Sequence, residues 1–306
     1  MIKTLICVVG PTAVGKTSLA IELATWLKTE ILSADSRQFY REMEIGTAKP
    51  DADELGQAPH HFINNLSIND PYDVGQYEKE ALQCMDRLFK THDQVIMVGG
   101  SGMFVDAVCH GLDQFPKIPD TVREELNLQL VENGLAFLQE ELKNSDPEYF
   151  DIVDIQNPQR VIRALEVIRF TGQKFSSFRS GTKSKRPFNI IKIGLEMDRS
   201  VLYDRIDRRM DVMIELGLFE EAESLLGHRK HNALQTVGYK EIFQFLDGDY
   251  DKEESIRLLK RNSRRYAKRQ LTWFKKDSST TWFEPSKIQE IKSYVKQQLE
   301  FFVAEN

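Results

Sequence analysis

The chain has 306 residues, is 41% hydrophobic and 29% charged, and carries a formal net charge of −6. That length suits two packed units, the composition is that of a globular protein, and no apolar run approaches the ~20 residues of a membrane span. The acidic total argues against nucleic acid when taken alone, and Cys7, Cys84 and Cys109, scattered without metal-ligand spacing, fit a reducing, cytoplasmic setting.

Ile2–Val9 is expected to be a buried strand and not a signal peptide, because its short apolar stretch runs into Gly10-Pro11 with no cleavage site. Lys16–Lys28 follows as a helix with Leu19, Leu23 and Leu27 on one face. Glu30–Asp35 reads as a second strand ending in a polar cluster, and His61–Asn64 as a short third one. Val74, Tyr77, Ala81, Met85, Leu88 and Phe89 form a helical stripe. The apolar run Val95–Val98, closed by Gly99-Gly100, suits a buried parallel strand. Strand alternating with helix predicts an α/β fold, a parallel sheet flanked by helices.

The pattern then changes. Leu112–Pro119 is loop-like. Thr121-Val122-Arg123-Glu124 has the form of a capping box opening a helix towards Lys143. Asp146-Pro147 and Asn157-Pro158 each set a capping residue before a proline at the first helical position, and Gly172 is a helix stop. Residues 174–186 read as a basic, mobile loop. A helical insertion is therefore expected over 113–186, with 1–112 and 187–306 forming the core. Ile190–Leu195 resumes the sheet, helices run on through Lys276, Thr280–Phe283 is a last strand, and a terminal helix starts at Ser286. Between Arg257 and Lys276 lie nine cations and no acid, a local basic stripe that offsets the acidic total.

Gly10-Pro11-Thr12-Ala13-Val14-Gly15-Lys16-Thr17 matches the phosphate-loop pattern in full, between a strand and a helix as that pattern requires. Glycines let backbone N–H groups turn around phosphate oxygens, Lys16 adds a positive charge, the helix start adds its dipole, and Thr17 offers a hydroxyl to Mg²⁺. The loop leaves three classes open: a small-molecule kinase of nucleotide type, a nucleotide hydrolase, and a transferase using another diphosphate. Val95–Val98 ends in Gly99-Gly100-Ser101 rather than in a Mg²⁺-binding acid, which weighs against the hydrolase.

Further segments fall in register behind the loop. They are Asp35-Ser36-Arg37-Gln38-Phe39-Tyr40, Gly46-Thr47-Ala48-Lys49-Pro50, Pro59-His60-His61-Phe62, Gly99-Gly100-Ser101-Gly102-Met103-Phe104 and Tyr266–Phe274. In this order and spacing the set resembles the bacterial-type tRNA dimethylallyltransferases, also called tRNA isopentenyltransferases, over nearly the whole chain. The resemblance implies a phosphate-loop core with a helical insertion and a loop that holds dimethylallyl diphosphate, although such loops are commonly nucleotide-binding. The acceptor it implies is the exocyclic amine of the adenosine 3′ of the anticodon, and the enzyme would act without a membrane, as a monomer.

The resemblance also assigns roles. Asp35 is the general base for the adenine amine, against the plainer reading of a turn residue. Ser101 hydrogen-bonds the departing oxygen. Arg209, with Arg205, reaches the diphosphate, although Arg205 also suits an ion pair with Asp204 or Asp207. Ser36, Arg37 and Gln38 join Asp35 and Ser101 in touching tRNA, and the Gln38 amide suits an adenine edge. Arg123, Gln159, Arg160, Val161, Ile162 and Arg163 in the insertion match tRNA contacts. So do Gln235, Gly238, Tyr239 and Lys240, while Lys268 and Arg269 in the basic stripe would hold backbone phosphate. His60 and His61 are structural, since neighbours on a strand point to opposite faces.

Overall fold

The structure, a computed structural model, describes residues 3–179, 181 and 184–304. Ile2 of the first expected strand and Ser180, Thr182 and Lys183 of the expected basic loop lie outside them. Contacts divide the chain into two compact units, Met1–His110 with Lys185–Asn306, and Gly111–Ser184.

The first unit runs β1 (Thr4–Val9), α1 (Lys16–Leu27), β2 (Ile31–Ser33), α2 (Ala52–Gln57), β3 (His60–His61), α3 (Val74–Leu88), β4 (Gln94–Gly99) and α4 (Gly102–His110). The second unit then supplies α5 (Asp120–Ser145), α6 (Pro147–Phe150), α7 (Pro158–Thr171) and α8 (Phe175–Phe178). The first unit resumes with β5 (Asn189–Leu195), α9 (Arg199–Glu215), α10 (Leu218–Ser224), α11 (Tyr239–Leu246), α12 (Lys252–Phe274), β6 (Thr280–Phe283) and α13 (Ile288–Ala304). The six strands form one parallel sheet in the order β3-β2-β4-β1-β5-β6. Alternate residues serve opposite faces: Leu5, Cys7, Val9, Val95 and Met97 join one core cluster, and Ile6, Val8, Ile96 and Val98 the other. Both faces are thus buried, as a parallel sheet covered by helices requires. From β1 the chain crosses to one side, to β2, and later to the other, to β5. The crevice beyond the carboxyl ends of β1 and β4 is therefore the place where such sheets bind ligands.

Five local expectations need correction. The third strand covers only His60–His61, because Phe62 (φ 63°) and Asn64 (φ 55°) turn the chain left-handed. The glycine-rich stretch after β4 does not stay a turn but opens α4 at Gly102. The Thr121 capping box does not form, since α5 already starts at Asp120 behind Pro119 with no side-chain cap. The same helix breaks its geometry at Gly134 (φ 78°). Within the expected basic loop, Phe175–Phe178 is helical, because Asp146 accepts hydrogen bonds from the Ser176 backbone N at 2.7 Å and from its hydroxyl at 2.9 Å while Phe175 stacks on Phe115. Asp146 and Asn157 do cap their proline-started helices, and Gly172 (φ 69°) ends α7. Leu126, Leu138, Leu142, Val161, Ile162 and Leu165 form the second unit's own core. No helix among the described residues is long and apolar enough to cross a membrane.

Candidate active site

The phosphate loop takes the backbone form its glycines allow. Gly10 has φ 144°, and a Cβ there would sit 2.6 Å from the Leu195 carbonyl oxygen; Gly15 has φ 108°. Helix α1 then starts at Lys16 with no side-chain cap and no acid in its first turn, so its first N–H groups remain for an anion. Lys16 Nζ donates to Pro11 O at 2.8 Å. Burial pulls the Lys16 ammonium down to about 8; nearby Asp35 opposes this and Arg209 adds to it. Arg209, on α9, donates to the Thr12 hydroxyl. Its own pKa is lowered, mainly by burial, with Asp35 opposing and Arg205 assisting. These groups line a cavity of about 440 Å³ together with Thr17, Asp35, Gln38, Lys49 and Glu54. Arg205 faces the same cavity, and Asp207, its candidate partner, bonds Arg264 at 2.5 Å. Arg208 also lines it, a third helix-borne cation that the i,i+4 spacing of Arg205 and Arg209 does not single out.

Asp35 stands just past the end of β2. Its Oδ1 accepts from Arg37 N at 3.1 Å, which is the turn role, while the residue also faces the cavity. A second, smaller cavity of about 80 Å³ lies beside the first, with Met210, Met213, Leu218, Val237 and Tyr266 in its wall. Thr12, Asp35, Thr47, Ala48 and Arg209 line both. Burial and the Asp35 charge push the Tyr266 hydroxyl up to about 12, with the Arg37 and Arg269 charges acting the other way. Ser101 accepts from Ser36 N at 3.0 Å and donates to Ser36 Oγ at 3.1 Å, pinning the Asp35 turn to the glycine segment. That contact is close because a Cβ on Gly99 would lie 2.2 Å from Ala34 O.

Other residues are held differently from expectation. The Gln38 amide does not present free edges: Nε2 donates to Thr47 O at 3.3 Å and Ala48 O at 3.1 Å, and Oε1 accepts from Ser33 Oγ at 3.1 Å. Gln270, buried on α12, has no expected role, yet it joins two loops. It accepts from Thr12 N at 2.8 Å and donates to Gly100 O at 2.9 Å. Its only signal is its place within Tyr266–Phe274. Lys49, likewise unassigned, donates to Tyr40 O at 2.7 Å, and burial lowers its pKa.

Of the proposed tRNA contacts in this unit, Arg37 donates to Asn232 O at 3.0 Å and Gln235 to Arg229 O at 2.5 Å. Gly238 is left-handed (φ 106°) and donates to Glu241, and Lys240 is exposed. Tyr239 is a correction: its side chain is fully buried with its hydroxyl on Glu221, so it offers RNA no surface. The basic stripe is half neutralised, because Arg257 pairs with Glu254, Lys260 with Asp211, Arg264 with Asp207 and Lys275 with Glu196. Arg265, Lys268 and Arg269 remain exposed. In the second unit Gln159 and Arg160 are exposed, but Val161 and Ile162 are fully buried because the capped helix turns its apolar face inward. Arg123 and Arg163 both bond the buried Glu166. His61 pairs with Glu30 and His60 bonds Ala58 O. Among the described residues no cluster of His, Cys, Asp and Glu could by itself hold a metal ion.

Comparison with known proteins reveals wide similarity. The family described as IPP transferase matches residues 38–277. A tRNA dimethylallyltransferase of Cytophaga hutchinsonii is 52% identical over 298 residues, 97% of this chain and 98% of that protein. One of Flavobacterium johnsoniae is 50% identical over 290 residues, 93% and 94% of the two chains. Among solved structures, the tRNA isopentenylpyrophosphate transferase of Bacillus halodurans superposes with a TM-score of 0.73 at 39% identity, covering 97% of each chain. A eukaryotic dimethylallyltransferase acting on tRNA does so with 0.74 at 26% identity, covering 89% of this chain and 69% of that one.

Proposed function

The chain belongs to the IPP transferase family, and from that premise we propose that it transfers a dimethylallyl group from dimethylallyl diphosphate to tRNA. The acceptor is the exocyclic amine of the adenosine 3′-adjacent to the anticodon, and diphosphate is released. One observation carries this reading: a single carboxylate, Asp35, stands where a cationic, phosphate-loop cavity meets a smaller one walled in part by Met210, Met213, Leu218 and Val237.

The donor diphosphate sits against the loop amides, Lys16 and Arg209. There its growing charge is met as the bond between the first allylic carbon and oxygen breaks. The target base leaves its stack to reach the smaller cavity. Its amine is a weak nucleophile, and Asp35 takes the amine proton as the new carbon–nitrogen bond forms. Ser101 holds the Asp35 turn in place through Ser36. Thr17, at the start of α1 and facing the larger cavity, fits Mg²⁺, an ion that takes one or two protein oxygens and completes its shell with phosphate and water. When bound there, Mg²⁺ supplies further neutralisation of the diphosphate. Lys268, Arg269 and Lys240 are exposed cations offered to RNA phosphate. The enzyme works in the cytoplasm as a monomer.

A nucleotide-type kinase would share the loop but would need ATP and ignore RNA. The test is to incubate the protein with unmodified tRNA, Mg²⁺ and dimethylallyl diphosphate, digest the tRNA and weigh its nucleosides. One five-carbon isoprenyl unit added to adenosine, without ATP, is the expected result. No added mass, with phosphate transfer from ATP to a small molecule, would replace this reading with the kinase.

A further inference from the structure

The turn Ile45–Thr47 carries a wall shared by both cavities: Thr47 and Ala48 line each, Lys49 the larger and Gly46 the smaller. The amides leading into this turn are gathered by one carboxylate from far along the chain. Glu221, on α10, accepts from Glu44 N at 2.9 Å and Ile45 N at 2.8 Å through Oε2, and from Gly46 N at 2.9 Å through Oε1. The same Oε1 accepts from the Tyr239 hydroxyl at 2.6 Å. Tyr239 directly follows Thr236, Val237 and Gly238, which line the smaller cavity. The fit is close enough to demand glycine, since a Cβ on Gly46 would lie 2.6 Å from that hydroxyl. At the other end of the wall Gln38 binds the Thr47 and Ala48 carbonyls and reaches Ser33, two residues before Asp35.

A carboxylate that accepts four hydrogen bonds, three of them from successive backbone amides, fixes a turn more firmly than a single neutral contact does. We propose that Glu221 is a positioning residue for the transfer reaction. With Tyr239 it ties the wall 46–49 to the segment 236–238, so that donor cavity and base cavity stay in register across Asp35. This rests on the reading of the two cavities given above. Glu221 acts through the wall and not on the reacting atoms. A merely stabilising bond would lower the melting temperature and leave turnover per folded molecule unchanged.

The test compares Glu221→Gln, Tyr239→Phe and the double variant with the wild type, well below their melting temperatures. It uses dimethylallyl diphosphate and tRNA, with kcat and the two KM values read separately. Glutamine keeps the shape but removes the charge and turns one acceptor into a donor facing N–H groups. The expected kcat loss is about 10–100-fold, the scale of a misplacement near 1 Å, with donor KM within about threefold of normal. Tyr239→Phe should lose about 3–10-fold in kcat, and the double variant should resemble Glu221→Gln alone, because both residues serve one network. Folded variants with wild-type kcat, or losses that simply multiply, overturn the proposal. If Glu221→Gln does not fold, Tyr239→Phe decides alone: a threefold or larger fall in kcat supports the proposal and an unchanged kcat overturns it. A wild type that forms no prenylated adenosine removes the functional reading and this inference together. A wild type that forms it, matched by both variants, removes the inference alone.

Discussion

The two cavities that meet at Asp35 share Thr12, Thr47, Ala48 and Arg209 but differ in the rest of their walls. The larger draws its wall from backbone N–H groups, Lys16 and three arginines of one helix, Arg205, Arg208 and Arg209. The smaller takes Met210 and Met213 from that same helix, with Leu218, Val237 and Tyr266. Helix α9 thus turns three cations towards the larger space, while Met210 and Met213 add thioether surface beside Arg209 in the smaller one. A multiply charged leaving group needs fixed counter-charge, whereas a splayed base and a short alkenyl tail need shape and dryness. Asp35 lines both spaces, so the carboxylate proposed as proton acceptor reaches the second while Lys16 and Arg209 offset its charge in the first. The lowered Lys16 ammonium is a consequence of that crowding: burial and Arg209 press it towards neutrality, and Asp35 resists.

The largest way to break this division is Lys16→Ala. It removes a charge proposed to face the diphosphate, and the expected kcat loss is ~10²–10³, with a raised donor KM and unchanged tRNA affinity. Steady-state kinetics beside a tRNA filter-binding assay checks this; weakened tRNA binding would show that the two spaces are not separate. Gly99→Ala attacks the seam between them, because its Cβ would meet Ala34 O at 2.2 Å. A thermal or denaturant melt should show a loss of ~1–3 kcal/mol from overpacking.

A smaller effect sharpens the electrostatics. Since the Lys16 pKa lies at about 8, the protein carries that proton only in part near pH 8. A docked diphosphate favours the charged form, raises the pKa, and should draw in ~0.5 proton at pH 8, so donor affinity falls as pH rises past that value. Calorimetry of donor binding in buffers of different ionisation enthalpy reads the uptake, and Lys16→Ala should abolish it. The smallest effect concerns the surface proposed to face RNA. Removing the exposed Lys268 and Arg269 should reduce the log–log salt slope of tRNA binding by ~0.7–0.9 for each RNA phosphate left without its cation. Arg264→Ala should leave that slope unchanged, because its charge already bonds Asp207 at 2.5 Å.

Much of this was legible in the sequence where short-range chemistry decides the outcome. The phosphate loop, the proline-started helices behind Asp146 and Asn157 and the strand Thr280–Phe283 are local patterns with local causes. What escaped depends on partners distant along the chain. The basic stripe looked unopposed because Asp207, Asp211 and Glu196, which neutralise three of its cations, lie some fifty or more positions earlier. Helix α4 was hidden because Gly99-Gly100-Ser101-Gly102 has turn composition. Those glycines instead admit the close approach of Ala34, Gln270 and Trp273. Tyr239, Val161 and Ile162 sit within stretches that resemble RNA contacts, and only the folded chain reveals that their side chains serve the interior. Glu221 and Gln270 gave no signal of their own, since each acts by bonding backbone groups that sequence spacing does not reveal.

The most direct test of Asp35 as the shared proton acceptor is Asp35→Asn, measured as turnover per folded molecule at saturating donor and tRNA, with donor affinity measured beside it. Asparagine preserves shape and can still accept the Arg37 amide bond that Asp35 takes at 3.1 Å. The expected result is a normal melt, donor affinity close to wild type, and a turnover lower by ~10²–10⁴, the usual cost of losing a general base. A well-folded Asp35→Asn protein with near wild-type turnover would contradict it and leave Asp35 as a turn residue alone.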